Sequence, residues 1–143
     1  MWNINLRPAN ERDWEFVVMV SDACMREYAE KTWGQWSAGH PSNFEAANWK
    51  IIQCNDCDIG CLSLSEDDVA FTLRALYILP SHQNHGIGGT LLRRIIDQAR
   101  GAKKNIQLTV LLVNPARNFY ERHGFSRTHS NEDRHFMTYS IDG

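Results

Sequence analysis

The chain has 143 residues, 43% of them hydrophobic and 22% charged, and 17 acidic against 15 basic side chains leave a net charge of −2. Those figures describe a single globular domain over residues 1–143, long enough to bury a core. They exclude the basic field that nucleic acid selects. No apolar run approaches a membrane span and the N-terminus lacks a leader pattern, so the expectation is a cytoplasmic protein with neither nucleic acid nor membrane as partner.

Ile4 and Leu6 ahead of Arg7 and Pro8 predict an edge strand that stops at proline. Asn10 is a helix cap with Asp13 as its capping-box partner. Trp14, Val17, Val18, Ser21, Met25 and Tyr28 then keep helical spacing. The next segment is rich in rings (Trp33, Trp36, Phe44, Trp49) and broken by Gly34, Gly39 and Pro41, which predicts short helices or an ordered loop packed as a local lid. Strands are expected over residues 49–53, 58–65 and 69–79, joined as an antiparallel meander by turns at Asn55 and Asp56 and at 66–68. The third is apolar on both faces towards its end and suits a central position. Cys54, Cys57 and Cys61 have a spacing compatible with zinc, but no second pair completes a site. They are taken as small apolar side chains beside a hairpin, with no metal and no disulfide expected.

The stretch 76–100 joins that strand, ended by Pro80, to a helix with Ile87, Leu91, Leu92, Ile95, Ile96 and Ala99 on one face. Glycines at 86, 88 and 89 lie between them. A glycine-rich turn before a helix N-terminus presents free N–H groups and the positive end of a helix dipole, which suits a phosphate. The spacing fits neither a P-loop, which would need a lysine near Gly89, nor a dinucleotide fingerprint, whose last glycine falls on Leu91. A further strand is expected over 106–112. Asn114 and Pro115 then start a helix that ends at Gly124, and residues 137–141 form a last strand.

Gln83, Asn84, His85, Gly86, Ile87 and Gly88 fit the pattern Gln/Arg-x-x-Gly-x-Gly/Ala directly after a strand. Asn114, Ala116, Tyr120, Gly124 and Phe125 fit Asn-x-x-Ala-x-x-x-Tyr-x-x-x-Gly-Phe on the next helix. In these motifs and their order the chain resembles the GNAT superfamily of acetyl-CoA-dependent N-acetyltransferases from Arg7 onward. The resemblance implies an α/β (α+β) fold: a mixed, mostly antiparallel sheet, splayed between the central strand and the strand after the central helix, with helices on both faces. It implies acetyl-CoA as cosubstrate and a primary amine as acceptor, on a small molecule in first place or on a peptide or protein; a homodimer is compatible with it.

Carried over by position, the backbone of Leu76 and Ile78 would pair with the pantetheine amides. The backbone from Gln83 through Asn84, His85, Gly86, Ile87 and Gly88 to Gly89 and Thr90 would hold the diphosphate. Asn114 would bond the pantetheine arm. Tyr120 would face the thioester sulfur and protonate the leaving thiolate, a task suited to a phenol of reference pKa ~10. The segment after the first helix lies beside the acceptor pocket in such proteins, which brings forward Glu27, Tyr28, Trp33 and Trp36. The carboxylate that many relatives carry on the central strand is replaced here by Arg74 and Ala75. That departure leaves a competing reading, a non-catalytic acyl-CoA-binding or sensor module, and the tryptophan-rich loop leaves a third, a partner-binding domain with that loop as its interface.

Overall fold

A computed structural model describes residues 2–37, 39 and 41–142 of the chain. The first strand, β1 (Ile4–Pro8), lies at the sheet edge, where the missing N–H of Pro8 is tolerated. Asn10 caps the following turn: its Oδ1 accepts from Arg12 N, and Asp13 Oδ2 accepts from Asn10 N at 2.8 Å. Helix α1 (Trp14–Trp33) ends at Gly34, whose φ of 79° glycine adopts without a Cβ penalty. After two short 3-10 turns, Pro41–Asn43 and Ala46–Asn48, come β2 (Lys50–Cys54), β3 (Cys57–Glu66) and β4 (Ala70–Ile78). Asn55 and Asp56, with φ of 51° and 70°, make the left-handed two-residue turn that matches strand twist. Helix α2 (Ile87–Ala102), β5 (Asn105–Leu111), α3 (Ala116–Arg122), β6 (Ser126–Ser130) and β7 (Arg134–Tyr139) complete the chain.

The strands form one seven-stranded sheet in the order β1-β2-β3-β4-β5-β7-β6, antiparallel except for β4 against β5. Side chains alternate between its faces. Ile51 and Cys61 therefore pack with Val17 and Val20 of α1, whereas Ile52 and Leu62 pack with Leu91, Leu92 and Ile95 of α2 on the other side. The expected mixed sheet with helices on both faces is the one observed. The same alternation divides the cysteines: Cys54 is buried on the α2 side, Cys61 on the α1 side, and Cys57 is exposed. Among the described residues no group of three or more His, Cys, Asp or Glu side chains is placed to hold a metal ion, and no helix is long and apolar enough to cross a membrane.

Two features of β4 position the site. Its parallel pairing with β5 extends only over Ala70, Phe71 and Thr72, opposite Asn105, Ile106 and Gln107, after which the strands part. On its other edge the register with β3 shifts between Ser63↔Ala75 and Leu64↔Leu73, so Arg74 is an extra, unpaired residue at a bulge.

Sequence and structure differ at the C-terminal end. The last strand begins at Arg134 and ends at Tyr139, instead of covering 137–141, and pairs with β6, which periodicity did not signal. All five residues of β6 are exposed, so no apolar alternation marks it.

The Arg7 guanidinium lies 2.9 Å from the carboxylates of both Asp13 and Asp58, tying β1 to the start of α1 and to β3. Bonds from Arg7, and then from the Asn10 amide, hold the Asp13 carboxyl below its usual range. A lowered folded-state pKa stabilises the fold above the unfolded value of ~3.9 and ceases to do so as pH falls through the folded value. Asp13→Asn should therefore melt at lower temperature than wild type near neutrality, with the gap narrowing in thermal melts taken below pH ~4.

Candidate active site

The parting of β4 and β5 opens a cleft of about 840 Å³. Leu79 N–H bonds Ile59 O on the β3 side of the strand at 2.8 Å. By strand alternation the polar groups of Leu76 and Ile78 face the opposite edge, into the cleft. The Ile78 carbonyl is already engaged, accepting from Gln83 Nε2 at 2.8 Å and from the Cys24 thiol at 3.3 Å. Gln83 thus pins the turn to the end of the strand. Cys24 also lines the cleft, and burial raises its thiol above the ordinary range; no sequence signal singled it out.

The turn has the form that the glycines predict. Asn84 and Gly86 adopt φ of 64° and 81°, and Gly86 caps α2. Thr90 N–H and its hydroxyl both donate to Gly86 O at 3.0 Å. The N–H groups of Ile87, Gly88 and Gly89 precede the first such bond, and the first turn of α2 has no acidic side chain and no side-chain cap. A Cβ on Gly88 would approach the Phe119 ring at 3.4 Å and one on Gly89 would lie 3.1 Å from His123 Nε2, so the glycines let α2 and α3 approach closely there. Gln83, Asn84, Gly86, Ile87, Gly88 and Gly89 all line the cleft. Thr90 and His85 are not part of its wall, and the His85 ring lies against Trp2 at a centroid distance of 4.7 Å.

Across the cleft, Asn114 Oδ1 accepts from Ala116 N at 2.9 Å and so caps α3, while its Nδ2 has no bond among the described residues. Tyr120 is 9% exposed and its ring meets Phe119 and Phe125 edge-on at centroid distances of 5.2 and 5.5 Å. Its hydroxyl has no protein partner among the described residues, and burial pushes the phenol above its ordinary range, so it stays protonated. A thiolate formed in the same dry surroundings is destabilised too, so its appetite for a proton rises alongside.

Glu27, Tyr28, Trp33 and Trp36 line the same cleft from α1 and the segment after it. Glu27 is exposed and ion-paired with Lys31 at 3.2 Å. Trp36 Nε1 donates to the Asp22 carboxylate. Trp33 Nε1 donates to Asp133 at 3.1 Å, and the Arg134 guanidinium sits 5.7 Å from the Trp33 ring centroid. One cleft therefore gathers the glycine turn, the phenol and the ring-rich segment. An extended ligand with a phosphate group fits this arrangement, with the phosphate at the helix start.

The family model of the acetyltransferase (GNAT) domain matches residues 46–127. Among solved structures, the PaiA N-acetyltransferase from Thermoplasma acidophilum in complex with coenzyme A superposes with a TM-score of 0.75 at 17% identity, over 96% of this chain and 99% of that one. Arabidopsis thaliana Naa50 in complex with the bisubstrate analogue CoA-Ac-MVNAL gives 0.70 at 17% identity, over 96% and 98%. An acetyltransferase from Thermus thermophilus gives 0.74 at 17% identity, over 95% and 96%. No protein in a search of curated sequences matches this chain significantly.

Proposed function

This chain belongs to the GNAT acetyltransferase family, and we propose that it transfers the acetyl group of acetyl-CoA directly to the primary amine of a small molecule. The observation that carries the proposal is the cleft itself, in which the glycine turn, the unpaired edge of β4, Asn114 and Tyr120 share one wall system. The N–H groups of Ile87, Gly88 and Gly89 would hold the diphosphate and the edge of β4 the pantetheine arm. That coenzyme A accompanies similar folds, in the Thermoplasma acidophilum protein and as part of the Arabidopsis analogue, supports the assignment.

The chemistry follows from the groups present. The amine lone pair attacks the thioester carbonyl, the C–S bond breaks, and Tyr120 O–H delivers a proton to the departing sulfur. The amine must arrive uncharged. β4 supplies no carboxylate at 74–75 to deprotonate it, but the Arg74 cation in the cleft wall disfavours an ammonium nearby and so favours the free base, whose last proton leaves to solvent. The missing carboxylate also favours a second reading, a module that binds acetyl-CoA without turnover.

A thiol-release assay across a panel of amines, with the N-acetyl product identified by mass, separates the two. Product is expected from wild type. Folded Gly88→Glu should bind acetyl-CoA at least tenfold more weakly by calorimetry, ~1.4 kcal/mol or more, because it sets a carboxylate against the phosphates. Binding without product from any amine favours the module. Unchanged affinity in Gly88→Glu removes the turn from the site.

A further inference from the structure

Arg74 is the bulged residue of β4, two positions beyond Thr72, the last residue paired with β5. Its Nε donates to Ser65 Oγ at 3.2 Å, which anchors the guanidinium, and among the described residues no carboxylate pairs with it. Three concavities meet at this side chain: the cleft, an aromatic groove of about 360 Å³ bordered by Trp14, Phe44, Trp49 and Tyr77, and a groove over β5 and β7. Among the described residues Arg74 alone lines all three.

Glu45, which accepts from Asn48 Nδ2, borders the aromatic groove together with Arg74, and Arg93 and Arg122 also line the cleft. Arg134 is held by Asp133 at 3.1 Å and lies against Trp33. Glu27, the one carboxylate in the cleft wall among the described residues, is neutralised by Lys31. Among the described residues no carboxylate of these walls pairs with Arg74, which leaves its guanidinium able to receive an anion. A purely cationic acceptor would be repelled there. A guanidinium presents a planar fork of donors that matches a carboxylate.

We infer that the acceptor is an amine that also bears a carboxylate, received by Arg74: an amino acid, with the aromatic groove taking an apolar side chain. The inference rests on the acetyl-transfer function proposed above. It assigns Arg74 to substrate selection, its charge offsetting the carboxylate that would otherwise hold the neighbouring amine protonated.

The test compares phenylalanine, phenylalaninamide and phenethylamine in the thiol-release assay. In parallel, calorimetry follows N-acetylphenylalanine and its amide binding to the protein saturated with coenzyme A. Wild type should show kcat/KM for phenylalanine at least tenfold above either carboxylate-free analogue, and the acid should bind at least tenfold tighter than the amide. Arg74→Gln should bring acid and amide level, and Arg74→Lys should restore part of the preference. Equal use and binding of acid and amide by wild type, or a preference that survives Arg74→Gln, overturns the inference while amine turnover leaves acetyl transfer standing. If no amine is acetylated, acetyl transfer fails and the binding pair alone decides the carboxylate site.

Discussion

Tyr120→Phe should lower kcat on the order of 10²-fold while acetyl-CoA affinity stays within error of wild type. The substitution keeps the ring that packs against Phe119 and Phe125, so the core on that side of α3 loses no contact. It also leaves no protein group without a partner, because the hydroxyl bonds to none among the described residues. What disappears is the proton for the departing sulfur. Single-turnover thiol release reads that loss, and calorimetry reads the affinity. If instead KM for acetyl-CoA rises and kcat holds, the phenol is a binding group and the proton comes from elsewhere. The pH dependence supplies a second check. Burial raises the phenol above its ordinary ~10, so it remains a donor through that value and the alkaline loss of kcat should fall above it.

Gly60→Ala should cost about 3 kcal/mol of stability and lower Tm by roughly 10 °C. A Cβ at this position in β3 would sit 2.2 Å from Tyr77 O and 3.2 Å from both Ile78 Cα and Ile52 Cδ1. Main-chain atoms cannot rotate away as a side chain can, so β4 itself must move. Because β4 borders the cleft, the shift should also weaken acetyl-CoA binding in whatever fraction remains folded. Gly101→Ala is the matched control. It lies in α2 with nothing within 4 Å of the added carbon, and alanine there should leave Tm unchanged or raise it. Equal melting of the two variants would show that the β3–β4 contact relaxes without cost.

The parts of the site legible in the sequence are those written locally. Pro80, the glycines at 86, 88 and 89 and the apolar period from Ile87 to Ala99 each act within a few residues, and together they gave the strand, turn and helix. Asn114 and Gly124 likewise mark the two ends of α3 by their own chemistry. Features made by register were not legible. The bulge that frees Arg74 exists only because β3 and β4 slip past each other, and Arg74 alone suggested merely a missing carboxylate. The Cys24 thiol reaches Ile78 O across 54 positions of sequence. Gly60 falls inside the expected strand 58–65, and nothing local marks the carbonyl that forbids a side chain there. The partners of Trp33 and Trp36 were hidden for the same reason, since Asp133 and Asp22 meet them only in the folded chain.

The open edge of β4 has a consequence for how such a protein can change over generations. The surface offered by Leu76 and Ile78 is peptide backbone, and any side chain that keeps an extended strand keeps that surface. Selection for cofactor binding therefore acts on geometry and leaves the letters of β4 free to drift. Under the function proposed above, the walls that would contact an acceptor are side chains such as Arg74 and Trp36, both in the cleft wall, where one substitution rewrites the chemistry. Descendants of one ancestor can thus keep the same donor and diverge in what they modify, with little shared spelling to reveal their kinship.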